Sequence, residues 1–366
     1  MTVKFYNPIG GRKKLLKLSS LFLFDIDDIL KLSNLSLSGM MKEEGLESIH
    51  KRMGRLTDEA SALRLANDMS LRIPGLPKEL IAAIHGDVEA QAHYEKIGTW
   101  ECFINSLYKT EDEWPQHVKF WIGIERATNK PWVLFHNQQF AEALTLLMES
   151  PIIQLLLWPE AIEILKSRSS LKALIPLRVL IGLELMLSFL AGVDARACYS
   201  LSKSNSFVFD VLPTNLTVNK NPTSLYFGWL KEQIGLSTIS ALLNDKRMPS
   251  LDVSVLNRWS NGSHMPSEKT LKSFLEAFLN DPGAQEIWIR HFAAKYLNFI
   301  GYRAQELQKL ANTATTEQLK DANRPWPDMP FGYKNIETWF ENRYPYWFEY
   351  HSNQIVGEGM KPSPVN

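Results

Sequence analysis

The stretch that most constrains the fold lies past the middle of the 366-residue chain, around residues 250–267. Ser250 follows Pro249 and is a good helix-capping residue. Four apolar residues then recur at helical spacing: Leu251, Val255, Leu256 and Trp259. Asn261 and Gly262 supply a left-handed stop directly after this face. The sequence therefore predicts a short amphipathic helix with a fixed beginning and a fixed end.

The flanking sequence predicts further short helices that share the same core. An amphipathic stretch from Leu225 to Ile234 stops at Gly235, and Ser237 opens a shorter one. Pro266 and Ser267 begin a third helix. Its apolar stripe consists of Leu271, Phe274, Leu275 and Phe278. Short helices separated by small capping residues are the way in which a helix-turn-helix unit builds its core.

The pattern Trp259-x-x-Gly262, followed by Pro266-Ser267 and Leu271, resembles the Cro/C1-type (lambda-repressor-like) helix-turn-helix domain over residues 222–281. The resemblance implies that the segment ending at Trp259 is a recognition helix and that two copies bind spaced half-sites of duplex DNA. The link over residues 244–249 is a few residues longer than the family's tight turn. The structural core of the motif would be Leu251, Leu256, Trp259, Gly262 and Leu271.

The resemblance also implies which side chains would face DNA. The outward positions of the recognition helix are Asp252, Val253, Ser254, Asn257 and Arg258. Arg258 and Asn257 suit the edges of guanine and adenine, and Val253 suits a thymine methyl group. Asp252 is the poor fit, since its carboxylate repels phosphate unless it accepts from a cytosine amine. Lys246 and Arg247 lie in the preceding link and are expected to contact phosphates.

The charge balance leaves two functions open. The whole chain carries 40 basic and 40 acidic residues, and residues 222–281 are balanced as well. In that stretch Lys231, Lys246, Arg247, Arg258, Lys269 and Lys272 are matched by Glu232, Asp245, Asp252, Glu268, Glu276 and Asp281. Phosphate contacts supply most non-specific affinity for nucleic acid. The chain is therefore predicted to be a DNA-binding regulatory protein with a helical dimerisation or sensing body, or else an interaction or assembly protein whose helix-turn-helix-like unit is structural.

The remaining sequence is predicted to be mainly α-helical, with no strand-helix alternation. Its segments are an N-terminal part of uncertain structure (1–56), a helical domain (57–199), a linker rich in Ser, Asn, Thr and Pro (200–221), the helix-turn-helix-like domain (222–281), a helical, aromatic-rich region (282–356) and a disordered tail (357–366). The aromatic residues of the C-terminal region pack a core or form an interface. The early basic residues, from Lys4 to Lys17, lie along phosphates or belong to a solvated terminus.

Several classes of chemistry lack a motif in this chain. There is no Gly-rich phosphate loop, no pair of histidines at metal-binding helical spacing and no nucleophile elbow. We therefore expect no enzymatic activity, no cofactor and no metal. Two cysteines are too few for a disulfide framework, so the cytoplasm is the expected compartment. The apolar stretch from Leu174 to Val193 is predicted to be a buried helix in which Glu184 has a partner, because a carboxylate at mid-span opposes membrane insertion.

Overall fold

A computed structural model describes residues 3–6, 8, 32, 64, 67–68, 82, 87–89, 101, 110–114, 116–136, 139–156, 171–217, 219–236, 238–248, 251–313 and 333–359. Over these residues the chain is mainly α-helical and contains no strand, which confirms the predicted fold class. The described helices are α1 (Gln116–His136), α2 (Phe140–Glu149), α3 (Pro151–Leu156), α4 (Leu171–Ser200), α5 (Pro222–Gln233), α6 (Ile239–Asn244), α7 (Val253–Ser260), α8 (Glu268–Phe278), α9 (Gln285–Thr313) and α10 (Ile336–Gly359).

The chain divides into two compact units. The smaller unit is Asp25–Leu174, and the larger unit combines Met1–Phe24 with Ile175–Asn366. The smaller unit contains α1, α2 and α3, which pack against one another around fully buried Ala143, Leu147, Ile153 and Leu156. Helices α5 to α10 all belong to the larger unit, so the predicted helix-turn-helix-like unit and the aromatic-rich region share one compact body.

Helices α4 and α10 of the larger unit are joined by a buried carboxylate. Glu184 on α4 is 0% exposed, and its two oxygens accept hydrogen bonds from three side chains of α10. The donors are Trp339 Nε1 at 2.7 Å, Arg343 Nε at 3.0 Å and Trp347 Nε1 at 2.7 Å. The predicted partner for Glu184 is thus confirmed, and the helix that carries it extends from Leu171 to Ser200. None of the helices in the described ranges is both long enough and apolar enough to cross a membrane.

The predicted linker over residues 200–221 contains part of the core of the larger unit. Phe207, Val208, Val211 and Leu212 are at most 3% exposed, and Val208–Val211 forms a 3₁₀ turn that contacts α5 and α9. Asp194 of α4 holds the start of this turn by accepting from Phe207 N at 3.1 Å. The linker prediction is therefore wrong for this stretch, because its polar composition surrounds a short apolar run that is buried.

Four aromatic residues of α10 form part of the core. Trp339, Phe340, Tyr344 and Trp347 on α10 are each 0% exposed. Tyr344 Oη donates to Asp194 Oδ2 of α4 at 2.7 Å. The tail predicted to be disordered from residue 357 is helical through Gly359, and residues 360–366 lie outside the described ranges.

The N-terminal residues 3–6 pack into the same core. Val3 and Phe5 are 3% and 7% exposed, and Gln305 Nε2 of α9 donates to Val3 O at 2.6 Å. A Cβ atom at Gly301 would lie 2.2 Å from the Phe5 ring, so glycine is required for this close approach. Lys4 is exposed, whereas the other basic residues of the predicted arm, from Arg12 to Lys17, fall outside the described residues.

Candidate nucleic-acid interface

The candidate recognition helix α7 starts two residues later than the sequence suggested. Its N-cap is Asp252, whose Oδ1 accepts from Ser254 N at 2.7 Å, and Ser250 is not among the described residues. Leu251 consequently precedes the helix and is only half-buried. Aspartate at the N-cap satisfies a free backbone amide and places negative charge at the positive end of the helix dipole.

This position changes the role expected for Asp252. The hydrogen bond from Ser254 holds the pKa of the Asp252 carboxyl below its usual range. The carboxylate lies at the start of the helix and caps its backbone, which adds a structural role to an exposed residue that the resemblance placed on the outward face. Serine and aspartate are about equally good N-cap residues, so capping preference alone did not decide between Ser250 and Asp252.

The end of α7 is a Schellman turn. Ser263 N donates to Arg258 O at 3.0 Å, and Gly262 N donates to Trp259 O at 3.2 Å. Gly262 has φ of 73°, in the left-handed region that was predicted for it. A Cβ atom there would also lie 1.9 Å from Asn221 Oδ1, so glycine is required for space as well as for backbone conformation.

The inward face of α7 anchors the unit. Leu256 is 0% exposed and Trp259 is 1% exposed. The Trp259 ring makes edge contacts with Phe227 of α5 at 5.6 Å and with Phe274 of α8 at 5.8 Å between ring centroids. Leu271 of α8 is also fully buried. Three helices therefore meet at one indole, which fixes the rotation of α7 about its own axis.

The outward face of α7 carries four of the side chains that the resemblance placed towards DNA. Val253, Ser254, Asn257 and Arg258 are all exposed, with Val253 at 46%. Arg258 Nε donates weakly to Ser254 O at 3.3 Å, one turn earlier on the same helix. The structure thus brings these residues together on one surface, opposite Leu256 and Trp259.

The link before α7 contains one exposed lysine and one arginine committed to an internal ion pair. Arg247 donates to both oxygens of Asp245, from Nε at 3.0 Å and from Nη2 at 2.8 Å. These bonds lower the pKa of Asp245 to about 2. The Arg247 guanidinium also lies over the Phe278 ring at 5.0 Å from its centroid. Lys246 and Arg247 are both exposed, and they differ in that Arg247 forms an ion pair within the link. Sequence reasoning missed this difference, although Asp245 stands two residues away.

Sequence reasoning also missed the residues that hold the turn after α7. Asn221 Nδ2 donates to Gly262 O at 2.7 Å. Thr223 Oγ1 contacts Met265 Sδ at 3.2 Å, and His291 Nε2 donates to Pro266 O at 3.0 Å. The Asn221 and Thr223 partners lie 41 and 42 residues away in sequence, so helical periodicity carried no signal for them.

Among the residues that the structure describes, no group of three or more His, Cys, Asp or Glu side chains is placed to hold a metal ion. The site consists of the exposed face of α7, whose opposite face is packed into an apolar core.

The comparisons with known proteins found no match, since no family model, no curated protein and no solved structure matches the chain. The likeness to the Cro/C1-type domain therefore stays a prediction from the sequence of residues 222–281.

Proposed function

We propose that this chain is a regulatory protein that binds duplex DNA through the outward face of α7. The observation that carries the proposal is the division of α7 into a buried face, with Leu256 and Trp259, and an exposed face, with Asn257 and Arg258. A helix that is anchored on one side and presents hydrogen-bonding groups on the other is what groove recognition requires.

The dimensions of α7 fit this role. An α-helix with its side chains is about 10–12 Å in diameter, and the major groove is about 12 Å wide. The eight residues of α7 give it a length of about 12 Å at about 1.5 Å per residue. Arg258 offers a bidentate donor for guanine, and Asn257 offers a donor and an acceptor for adenine. Ser254 and Val253 precede them on the exposed surface of α7, where they add one hydrogen-bonding and one apolar contact.

The charges around α7 supply few phosphate contacts. Lys246 and Lys269 are exposed, whereas Arg247 is paired with Asp245, and Lys272 has Glu276 at 3.9 Å. One copy of the unit is thus expected to bind weakly and with a shallow salt dependence. Two copies on spaced half-sites would raise the affinity without any new contact, because the second copy binds intramolecularly. We infer a dimer on DNA for this reason.

The experiment that tests the proposal is selection of bound sequences from a random duplex pool by the full-length chain. Wild type is expected to enrich one short sequence, and Arg258→Ala is expected to relax preference at one position of it. Arg196→Ala is the matched control, because Arg196 is an exposed arginine on α4. An equal change in both variants would contradict a base-reading role for Arg258.

The second candidate function is protein assembly through the same helices. It is favoured by the balanced charge of residues 222–281 and by two exposed apolar side chains, Leu243 at 38% and Val253 at 46%. The aromatic residues Trp339, Phe340 and Trp347 do not favour it, because they are buried. Val253→Glu would reduce self-association measured by sedimentation if assembly used this face. Enrichment of a duplex sequence by the wild-type chain would favour DNA binding over assembly.

A further inference from the structure

The turn at the C-terminal end of α7 is held by one buried side chain, Asn221, which is 6% exposed and precedes α5. Its Oδ1 accepts from Ser224 N at 3.0 Å and so caps α5. Its Nδ2 donates to Gly262 O at 2.7 Å and to Lys4 O at 3.1 Å. The amide therefore joins the start of α5, the N-terminal segment and the turn after α7, with both of its ends in use.

The fit at this point is tight. Gly262 comes so close to Asn221 that a Cβ atom would lie 2.4 Å from Asn221 Cγ. Because Gly262 N and Ser263 N close the Schellman turn on α7 itself, a shift of Gly262 would move the last turn of the helix, where Arg258 lies. The distance between Asn221 and Gly262 thus fixes the position of the last turn of α7.

The other end of this contact is rigid. Lys4 lies between Val3, whose N donates to Glu337 Oε1 at 3.3 Å, and Phe5, whose N donates to Gln305 Oε1 at 3.3 Å. The N-terminal segment is thus fixed to α9 and α10. Asn221 connects that fixed segment to Gly262. The position of the C-terminal end of α7 therefore depends on α9 and α10, through the N-terminal segment, as well as on the helices that pack against α7.

We infer that Asn221 is a positioning residue for DNA recognition, which acts through the turn at Gly262 without touching DNA. This inference rests on the proposed function. The capping role and the positioning role use different atoms of the side chain, Oδ1 and Nδ2, so they can be separated by substitution. Serine and aspartate are both good N-caps, and neither supplies the two amide donors.

The test compares Asn221→Ser and Asn221→Asp with wild type in the full-length chain. Two quantities are measured: hydrogen exchange of the amides of residues 262–264, and affinity for the selected duplex. Both variants are expected to keep the helical content of wild type, to exchange these amides faster and to bind the duplex about tenfold more weakly, the scale of one or two net hydrogen bonds.

The matched control is Asn335→Ala. Asn335 precedes α10 in the same unit and its Oδ1 accepts from Thr338 N at 2.8 Å, so this variant removes an asparagine cap that does not contact α7. It should leave exchange at residues 262–264 and duplex affinity unchanged. Equal effects in Asn335→Ala, or unchanged exchange and affinity in the Asn221 variants, would overturn the inference.

The two readouts keep this inference separate from the proposed function. If wild type binds no duplex, the DNA-binding function fails and the positioning role in recognition fails with it. The exchange measurement then still decides whether Asn221 holds the turn. If wild type binds the duplex and the Asn221 variants bind equally well, the DNA-binding function stands and the positioning role alone is overturned.

Discussion

Arginine has opposite roles in two regions of the larger unit. Arg343 on α10 is 8% exposed, donates to Glu184 at 3.0 Å and lies over the Tyr346 ring at 4.5 Å from its centroid. Arg258 on α7 is exposed and makes a weak hydrogen bond, at 3.3 Å, to the backbone of its own helix. The first arginine is committed to the fold and the second is available to a partner. Substitutions in these two regions should therefore separate stability from binding.

The largest effect is expected at the buried carboxylate. Glu184→Ala would remove the carboxylate that accepts from Arg343 Nε and from two indole N–H groups. We expect the free energy of unfolding to fall by about 3–5 kcal/mol, the usual cost of removing one partner from a buried ion pair. Chemical denaturation measures this change.

Arg258→Ala is the counterpart in that experiment. An exposed substitution of this kind changes the free energy of unfolding by less than about 0.5 kcal/mol. Equal stability losses in the two variants would mean that the two regions do not differ as described.

Trp259→Ala is expected to have a similarly large effect on stability. Removing a 1% exposed indole that contacts Phe227 and Phe274 would cost about 3–5 kcal/mol. Thermal unfolding of the full-length chain checks it, with Val253→Ala on the exposed face of the same helix as control. An unchanged melting temperature for Trp259→Ala would show that the indole does not anchor α7.

His291 should make the stability of the larger unit depend on pH. Burial, opposed by the bond to Pro266 O and reinforced by the charge of Lys295, lowers the pKa of His291 to about 4. The unfolded histidine titrates near about 6.5. Between these values the unfolded chain binds a proton that the folded chain does not, so the free energy of unfolding falls as the pH falls from about 6.5 to about 4. The total loss is about 3 kcal/mol, at about 1.4 kcal/mol per pH unit.

Denaturant titrations of wild type and His291→Gln across that pH range check the prediction. The glutamine variant should have the flatter profile, since it does not titrate there. His264→Gln, at an exposed histidine, is the control and should follow wild type. Parallel profiles for all three proteins would contradict the account of His291.

Lys246→Ala should have the smallest effect and tests binding alone. Lys246 is exposed in the link before α7 and is expected to contact a phosphate. The variant should bind all duplexes more weakly to the same degree, and the slope of log affinity against log salt should become shallower by about one. Arg247→Ala should change that slope less, because Arg247 is paired with Asp245. A larger change of slope for Arg247→Ala than for Lys246→Ala would show that the ion pair between Arg247 and Asp245 opens on DNA.

The parts of the fold that sequence predicted are those set by local periodicity. Trp259 and Leu271 were placed in the core because each falls on an apolar helix face, and both are buried. Gly262 was placed at a left-handed stop because it follows Asn261 at the end of that face, and it has a positive φ. Such features depend on neighbours within a few turns of one helix, so one sequence suffices to predict them.

The parts that sequence missed depend on partners far along the chain. A partner for Glu184 was required by the cost of burying a charge, yet its donors are 155, 159 and 163 residues away, which no spacing rule identifies. The role of Asn221 was missed for the same reason. The segment around Phe207 was assigned to a linker because most of its residues are polar. Four apolar residues in it are nevertheless buried, and that burial depends on packing against α5 and α9.

The central claim, that α7 reads duplex DNA, is tested most directly by titrating the full-length chain with the selected duplex across a salt series. We predict measurable affinity at low salt, a shallow linear fall of log affinity with log salt, and a loss of about 1–3 kcal/mol on Arg258→Ala. A stably folded chain with no duplex affinity even at low salt, where phosphate contacts are strongest, would contradict the claim.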